Sequence, residues 1–214
     1  MLGIMLDDKH SFHDLKLWLK SYPKISSPTP KTKFVDVPGA DGALNMSKTL
    51  TGYMHYNRRT FTAEFTIIAP RAHWPEIHSE ILDLLHGREM SISLDDDPEY
   101  CYTGLVSVQD PDPDKVTSSI TITADVEPYK TRREDTHKTV NVNSSAVLTI
   151  TGSRMPTVPK IWSSTAMSMA YGGKTYALAS GDNLFPDVII REGSNTFTFT
   201  GSGTVTLEFR EGRF

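Results

Sequence analysis

One cysteine, Cys101, is all that the 214 residues contain, so the chain closes no internal disulfide and builds no cysteine-based zinc cluster. Flanked by Tyr100 and Tyr102, it reads as a small apolar residue packed in a core. This usage fits folding in a reducing cytoplasm. Long apolar runs are missing too. Nothing approaches the 18 or more consecutive apolar residues of a spanning helix, and no membrane insertion is expected. The stretch from Met1 to Lys20 is charged and lacks the apolar heart of a signal peptide, so export by that route is not expected. Basic residues are in the minority, 22 against 26 acidic ones, for a formal charge of −4. The densest basic stretch, Lys130 to Arg133, is followed at once by Glu134 and Asp135. It reads as a solvated linker, and no sequence-specific nucleic-acid binding is expected.

Catalytic signatures are equally scarce. Of the seven histidines, His73 and His78 are five apart on a predicted helix and face different sides. His10 and His13 have helical spacing but border a predicted strand. Neither pair makes a zinc site. The acidic runs Asp95-Asp-Asp-Pro and Asp110-Pro-Asp-Pro-Asp lack the alternating ligands, glycine and distal glutamate of a calcium loop, and read as solvated turns. There is no Gly-x-Ser-x-Gly elbow, no phosphate-cradling glycine loop with its lysine and no dinucleotide fingerprint. Paired carboxylates for sugar cleavage leave no readable spacing. The chain reads as non-enzymatic, with no cofactor and no metal.

What is present is strand patterning. Leu15, Leu17 and Leu19 share one parity, with Trp18 on the other, before Pro23, Pro28 and Pro30 interrupt. Phe61, Ala63, Phe65 and Ile67 alternate with Thr60, Thr62, Glu64 and Thr66, giving a strand with one wet and one dry face. One helix is predicted over about His73–His86. Pro75 lies in its first turn, Ile77, Ile81, Leu84 and Leu85 form its apolar stripe, and Gly87 caps it. Strands follow at Met90–Leu94, Tyr100–Val108 and Val116–Val126, with a loop over Gln109–Lys115. The character changes at Glu127-Pro-Tyr-Lys, where a domain boundary is placed. Beyond it, strands are predicted at Val140–Ile150, around Ile161, and at Met167–Tyr171, Lys174–Leu178, Val188–Ile190, Asn195–Phe199 and Val205–Phe209. Turns are predicted at Gly172-Gly173, Ser180-Gly181-Asp182 and Gly201-Ser-Gly203, and the pattern suggests a small sandwich. The fold class is mainly β.

The block from Phe34 to Phe65 adds a more specific signal. Phe34-Val-Asp-Val reads as a short strand, followed by two turns at Pro38-Gly39 and Asp41-Gly42. With Leu44, Gly52, Tyr56, Asn57, Arg58, Phe61 and Phe65, this block resembles the signature of siphophage distal tail (Dit) proteins. That signature has a V-P-G-x-D-G-x-L turn and then a strand carrying T-G, Y, N-R and F in that order, which here stand as T-G-x-x-x-Y-N-R-x-x-F. Asn45 stands where an acidic residue is usual. Downstream, the Trp74 helix, Tyr102-Thr-Gly and Pro128-Tyr129 are similar too. The run from Gly181-Asp-Asn to Arg191-Glu-Gly-Ser-Asn-Thr-Phe resembles that family's galectin-like domain.

The resemblance implies an N-terminal β-barrel-like domain over residues 1–130, bearing one α-helix and a projecting hairpin. A C-terminal galectin-like β-sandwich over 131–214 follows it. It also implies a homo-hexameric ring at the tail tip of the virion, assembled in the host cytoplasm. The ring would join the tail tube protein to the tail-associated hub or spike protein and the receptor-binding protein, leaving a passage for DNA. A ring is a heterologous closed assembly and requires two different complementary surfaces on each copy. The candidate interface residues are Pro38, Gly39, Asp41, Gly42, Leu44, Met46 and Arg58. Leu44 and Met46 either anchor on a neighbour or pack into their own domain. Arg58 and Arg59 either orient inter-subunit carboxylates or are ordinary exposed strand arginines. The alternative function is a carbohydrate-binding module for host wall glycans, with Trp162, Tyr171 and Tyr176 as aromatic platforms.

Overall fold

The computed structural model describes residues 3–113 and 117–214, with the side chains of Asp112 and Pro113 left aside. The start of the strand expected from Val116, the end of the loop expected to Lys115, the last aspartate of the 110–114 acidic run, and Met1 and Leu2 lie outside the described residues. Among those described, strands dominate and Trp74–Leu85 is the one α-helix. Contacts divide the chain into two compact units, one up to Lys130 together with Phe214, the other Thr131–Arg213.

In the first unit, antiparallel strands lie in the order Lys9–His10, Ile4–Leu6, Glu89–Leu94, Asp97–Val108, Ser118–Val126, Arg59–Ile67 and Leu17–Leu19. The period-two pattern decides the register. Phe61 lies opposite Ala124, Ala63 opposite Ile122 and Phe65 opposite Ile120, so apolar side chains meet on one face. All six are buried. The helix covers this core with Trp74, Ile77, Ile81 and Leu85, at spacings of three, four and four. Trp74 completes the stripe while Leu84 is only half-buried, and Trp74 Nε1 donates to the Ala69 carbonyl at 2.9 Å. Each such aliphatic burial contributes about 1.5–3 kcal/mol.

The turn expected over Asp95–Pro98 is shorter than the sequence suggests. Leu94 pairs with Asp97, so the turn is Asp95-Asp96 and the strand already holds Pro98 near its start, where a missing N–H is tolerated. Asp95 is drawn elsewhere, accepting from the Gly3 N–H at 2.7 Å and lying 3.2 Å from His10 Nε2.

In the second unit, two 17-residue strands, Thr136–Gly152 and Gly193–Phe209, form one ribbon paired along its whole length. Along its other edge, Gly193–Phe209 carries Met167–Tyr171 near one end and Lys160–Ser163 near the other. Each of these holds a further strand, Lys174–Leu178 and Gly181–Leu184. Phe197, Phe199, Val205, Leu207, Ile161, Met169 and Leu178, from both halves, share one core.

Four expectations need correction here. The basic stretch Lys130 to Arg133 is not a solvated linker. Lys130–Arg132 is a short strand and Thr136 begins the long ribbon, because charged side chains are accommodated on the wet sides of strands. Asp135 is engaged by Arg210 Nε at 2.7 Å. Gly201-Ser-Gly203 is not a turn between two strands but lies inside one. Both glycines have φ near +147°, at 146° and 148°. A Cβ would meet Met167 Cβ at 2.6 Å from Gly201 and Ser164 Oγ at 2.5 Å from Gly203. Ser180-Gly181-Asp182 contributes to the strand Gly181–Leu184. Conversely, Val188–Ile190 is not a strand, and only Ile190 makes a bridge, to Thr157. Val188 and Ile190 are fully buried, which accounts for their apolar signal.

Candidate assembly surface

The segment between Pro30 and Tyr56 leaves the first unit's sheet and returns to it. Its stem is Lys31 N–H to the His55 carbonyl at 2.8 Å and Asn57 N–H to the Thr29 carbonyl at 2.9 Å. Asn57 Nδ2 donates to Thr29 Oγ1 at 3.0 Å. Further out, Phe34–Asp36 and Ala43–Asn45 pair, among the described residues, only with each other, as a two-stranded sheet separate from the rest. Ala40 N–H donates to the Val37 carbonyl at 3.1 Å, closing a β-turn over Pro38-Gly39. Gly39 at φ 83° supplies the positive φ of a type II turn, and Gly42 follows at 72°. A Cβ at either glycine would touch nothing, so the requirement is conformational.

This arm is wet on both faces. Phe34, Val35, Val37, Leu44 and Leu50 are 58, 41, 44, 56 and 99% exposed. Val35 lies opposite Leu44 on one face, with Phe34 on the other opposite Asn45. An isolated two-stranded hairpin is marginal in water, and clustered exposed apolar side chains mark an interaction site. Of the two readings of Leu44 and Met46, Leu44 is not packed into its own domain. Met46 is half-buried, with Thr49 Oγ1 3.6 Å from its sulfur. Pro38, Gly39, Asp41 and Gly42 are all exposed at the arm's tip. The reading from sequence missed Phe34, Val35, Val37 and Leu50 as surface groups. Their strand-like spacing signals apolar side chains but not what covers them.

Arg58 lies beyond the stem. Its Nη2 is 3.0 Å from Glu127 Oε1, its Nε 3.6 Å from Asp125 Oδ2, and Glu89 is 4.0 Å away, so its own unit supplies its carboxylates. Arg59 is not an exposed arginine. It is buried, its guanidinium 4.9 Å above the Tyr102 ring, and its Nε and Nη2 have no hydrogen-bond partner among the described residues. Burial pulls its pKa down, and Tyr102 opposes that.

The three aromatic candidates of the second unit do not converge. Tyr171 and Tyr176 line one pocket of about 270 Å³ with Lys174, Asp187 and Arg191, and Trp162 is not among its lining residues. Tyr171 stacks on Phe197 at 4.4 Å, and its hydroxyl is 2.5 Å from the Ile189 carbonyl. Tyr176 packs on Phe185, and its hydroxyl donates to Asp187 Oδ2 at 2.8 Å. Trp162 is 44% exposed on the strand Lys160–Ser163. As for catalytic candidates, no three His, Cys, Asp or Glu side chains converge as metal ligands among the described residues. His10 uses Nδ1 to accept the backbone N–H groups of Phe12 and His13, at 3.1 and 3.2 Å.

No protein-family profile and no curated protein matches the chain. Among solved structures, a conserved protein of unknown function from Pseudomonas aeruginosa PAO1 aligns over 91% of this chain and all of its own, at 10% identity and a TM-score of 0.27, too low to bear on the fold. The Dit protein (gp 19.1) of phage SPP1, described as a paradigm of the hub adsorption apparatus in phages infecting Gram-positive bacteria, is similar at 15% identity with a TM-score of 0.73. The match covers 100% of both chains, and this chain therefore has the fold of a Dit protein over its whole length.

Proposed function

We propose that the chain is a structural, non-enzymatic subunit of a phage tail adsorption apparatus, in which copies close into a hexameric ring at the tail tip. One observation carries the reading: the isolated arm at Phe34–Asn45, with Val35, Leu44 and Phe34 open to solvent, on a full-length Dit fold. In a closed ring each copy offers two different surfaces. The arm is one of them, with Leu44 and Val35 as its apolar anchor, Pro38-Gly39 and Asp41-Gly42 shaping its tip and Met46 at its base. Arg58 stays with its own carboxylates and borders the contact. The ring joins the tail tube to the hub or spike and receptor-binding proteins and leaves an axial passage for DNA, with the virion tail tip as its location.

Native mass spectrometry of the chain, alone and with a tube or hub partner, tests this. Six-fold species are expected. Leu44→Asp leaves the circular dichroism spectrum unchanged, because Leu44 supports no core, and weakens assembly at least about tenfold by desolvating a charge at an anchor site. A strict monomer in every mixture rejects the ring.

A second reading, host-glycan binding, draws on the pocket that brings Tyr171 and Tyr176 together. Calorimetry against wall polysaccharide tests it. Binding lost in Tyr176→Ala supports the pocket, and binding lost in Trp162→Ala supports an open platform instead.

A further inference from the structure

The ribbon leaves the second unit's sheet with four outer strand edges among the described residues, and they are not alike. In one half the outermost strands are Gly181–Leu184 and the Thr136–Asn143 stretch of the ribbon; in the other they are Lys174–Leu178 and Ser145–Gly152. Ser144, at φ 65°, separates the two ribbon stretches. Exposed strand edges present unpaired N–H and C=O groups, and proteins guard them with charge, proline or irregularity. Three of the four are guarded. Asp182 lies on one, ion-paired with Lys160 at 3.1 Å. Lys174 lies on another, ion-paired with Asp187 at 2.9 Å. His137 and Lys138 lie on the third. The fourth, Ser145-Ala-Val-Leu-Thr-Ile-Thr-Gly152, has no charge and no proline, and among the described residues it pairs on one side only. It also presents Val147, 62% exposed, as its third residue.

We infer that the edge Ser145–Gly152 is a docking strand for the same edge of a second copy of this chain, paired antiparallel about a two-fold axis at Val147. The sequence of the edge identifies the partner. A two-fold contact sets the residue on the axis against its own copy and every other residue against its mirror position, so a charge on the axis would oppose itself, and neither the axis nor its flanks carry one. With Val147 opposite Val147 of the second copy, Ala146 meets Leu148 and Ser145 meets Thr149. Apolar groups then oppose apolar ones, and hydroxyl opposes hydroxyl. The exposed valine gains a cross-strand neighbour, and the Ser145–Thr149 part of both open edges is paired at once. This contact is isologous and uses the second unit, so it stands apart from the ring proposed above and does not depend on it.

Cysteine cross-linking of the full chain tests the register, in a Cys101→Ala background and with Leu44→Asp present to silence the arm. Val147→Cys places two thiols on a facing pair with Cα atoms about 5 Å apart, so mild oxidation gives a covalent dimer. Thr151→Cys sits eight positions from its counterpart in this register, about 27 Å along the strand, and gives none. Val147→Lys, which restores the missing guard, converts the non-covalent dimer to monomer by sedimentation at least tenfold more readily. Equal cross-linking of the two cysteines, or an unchanged mass distribution in Val147→Lys, overturns the inference.

Discussion

Arg58 and Arg59 are neighbours in sequence with opposite fates: Arg59 opens the strand Arg59–Ile67 on its buried side, while Arg58, just before the strand, is exposed. Arg58 lies on the wet side among three carboxylates, 40% exposed at its side chain, where screening leaves ion pairs little net value. Arg58→Ala is therefore expected to cost under about 1 kcal/mol. Arg59 is buried with two guanidinium nitrogens unmatched among the described residues, and a guanidinium does not shed its charge to escape. Arg59→Met keeps the volume and removes the unmet polarity, so stability is expected to hold or to rise by up to about 2 kcal/mol. Urea titration of both variants measures the contrast, and a large loss in Arg59→Met would show the guanidinium to be satisfied. Tyr171 belongs at this scale too. Burial raises its pKa above the ordinary value near 10.0. In the unfolded chain the phenol ionises first. Its contribution is therefore complete below about pH 10 and is lost as pH rises through the higher folded value. Tyr171→Phe removes the bond to the Ile189 carbonyl. It is expected to cost about 1 kcal/mol at neutral pH and to flatten the alkaline end of a stability–pH profile.

At the level of elements, local pattern was a good guide wherever one face of an element is dry. The strand Arg59–Ile67 and the helix Trp74–Leu85 follow from period two and period 3.6, with Gly87 at φ 73° just past the helix as its sequence position suggests. The pattern misled where glycine was read as punctuation. Gly201 and Gly203 sit inside a strand because other side chains crowd their Cβ positions, a tertiary requirement that looks the same in sequence as a turn. The glycines therefore separate into two kinds with different expected costs. At Gly104 a Cβ would lie 2.2 Å from the Asp125 carbonyl oxygen, which belongs to the neighbouring strand's backbone and has nowhere to go. Gly104→Ala is expected to cost on the order of 3 kcal/mol or more in global stability. Gly39 has open space and a positive φ, so Gly39→Ala is expected to strain the arm's turn by about 1 kcal/mol and leave the global Tm unchanged. Thermal scans with hydrogen exchange on the arm amides distinguish the two.

Across the whole molecule, the pairings that hold each unit span long stretches of chain. Ile4 pairs with Leu94, and Thr136 pairs with Phe209. Closing such loops costs entropy before any contact repays it, so refolding from urea is expected on the millisecond-to-second scale. Stopped-flow fluorescence measures it, and microsecond refolding would contradict this topology. The sequence by itself determined the mainly-β class, the single helix, the dry face of each regular strand and the resemblance centred on Phe34–Phe65, because periodicity and turn chemistry are local properties. Only the tertiary structure decided that Leu44 and Val35 stand in solvent on an isolated hairpin, that Arg59 is buried over Tyr102, and that Ser145–Gly152 ends as an unguarded edge. An apolar residue on a strand is written the same way whether its own core covers it or nothing does; which of the two holds depends on how distant segments are arranged, and no local window of sequence contains that.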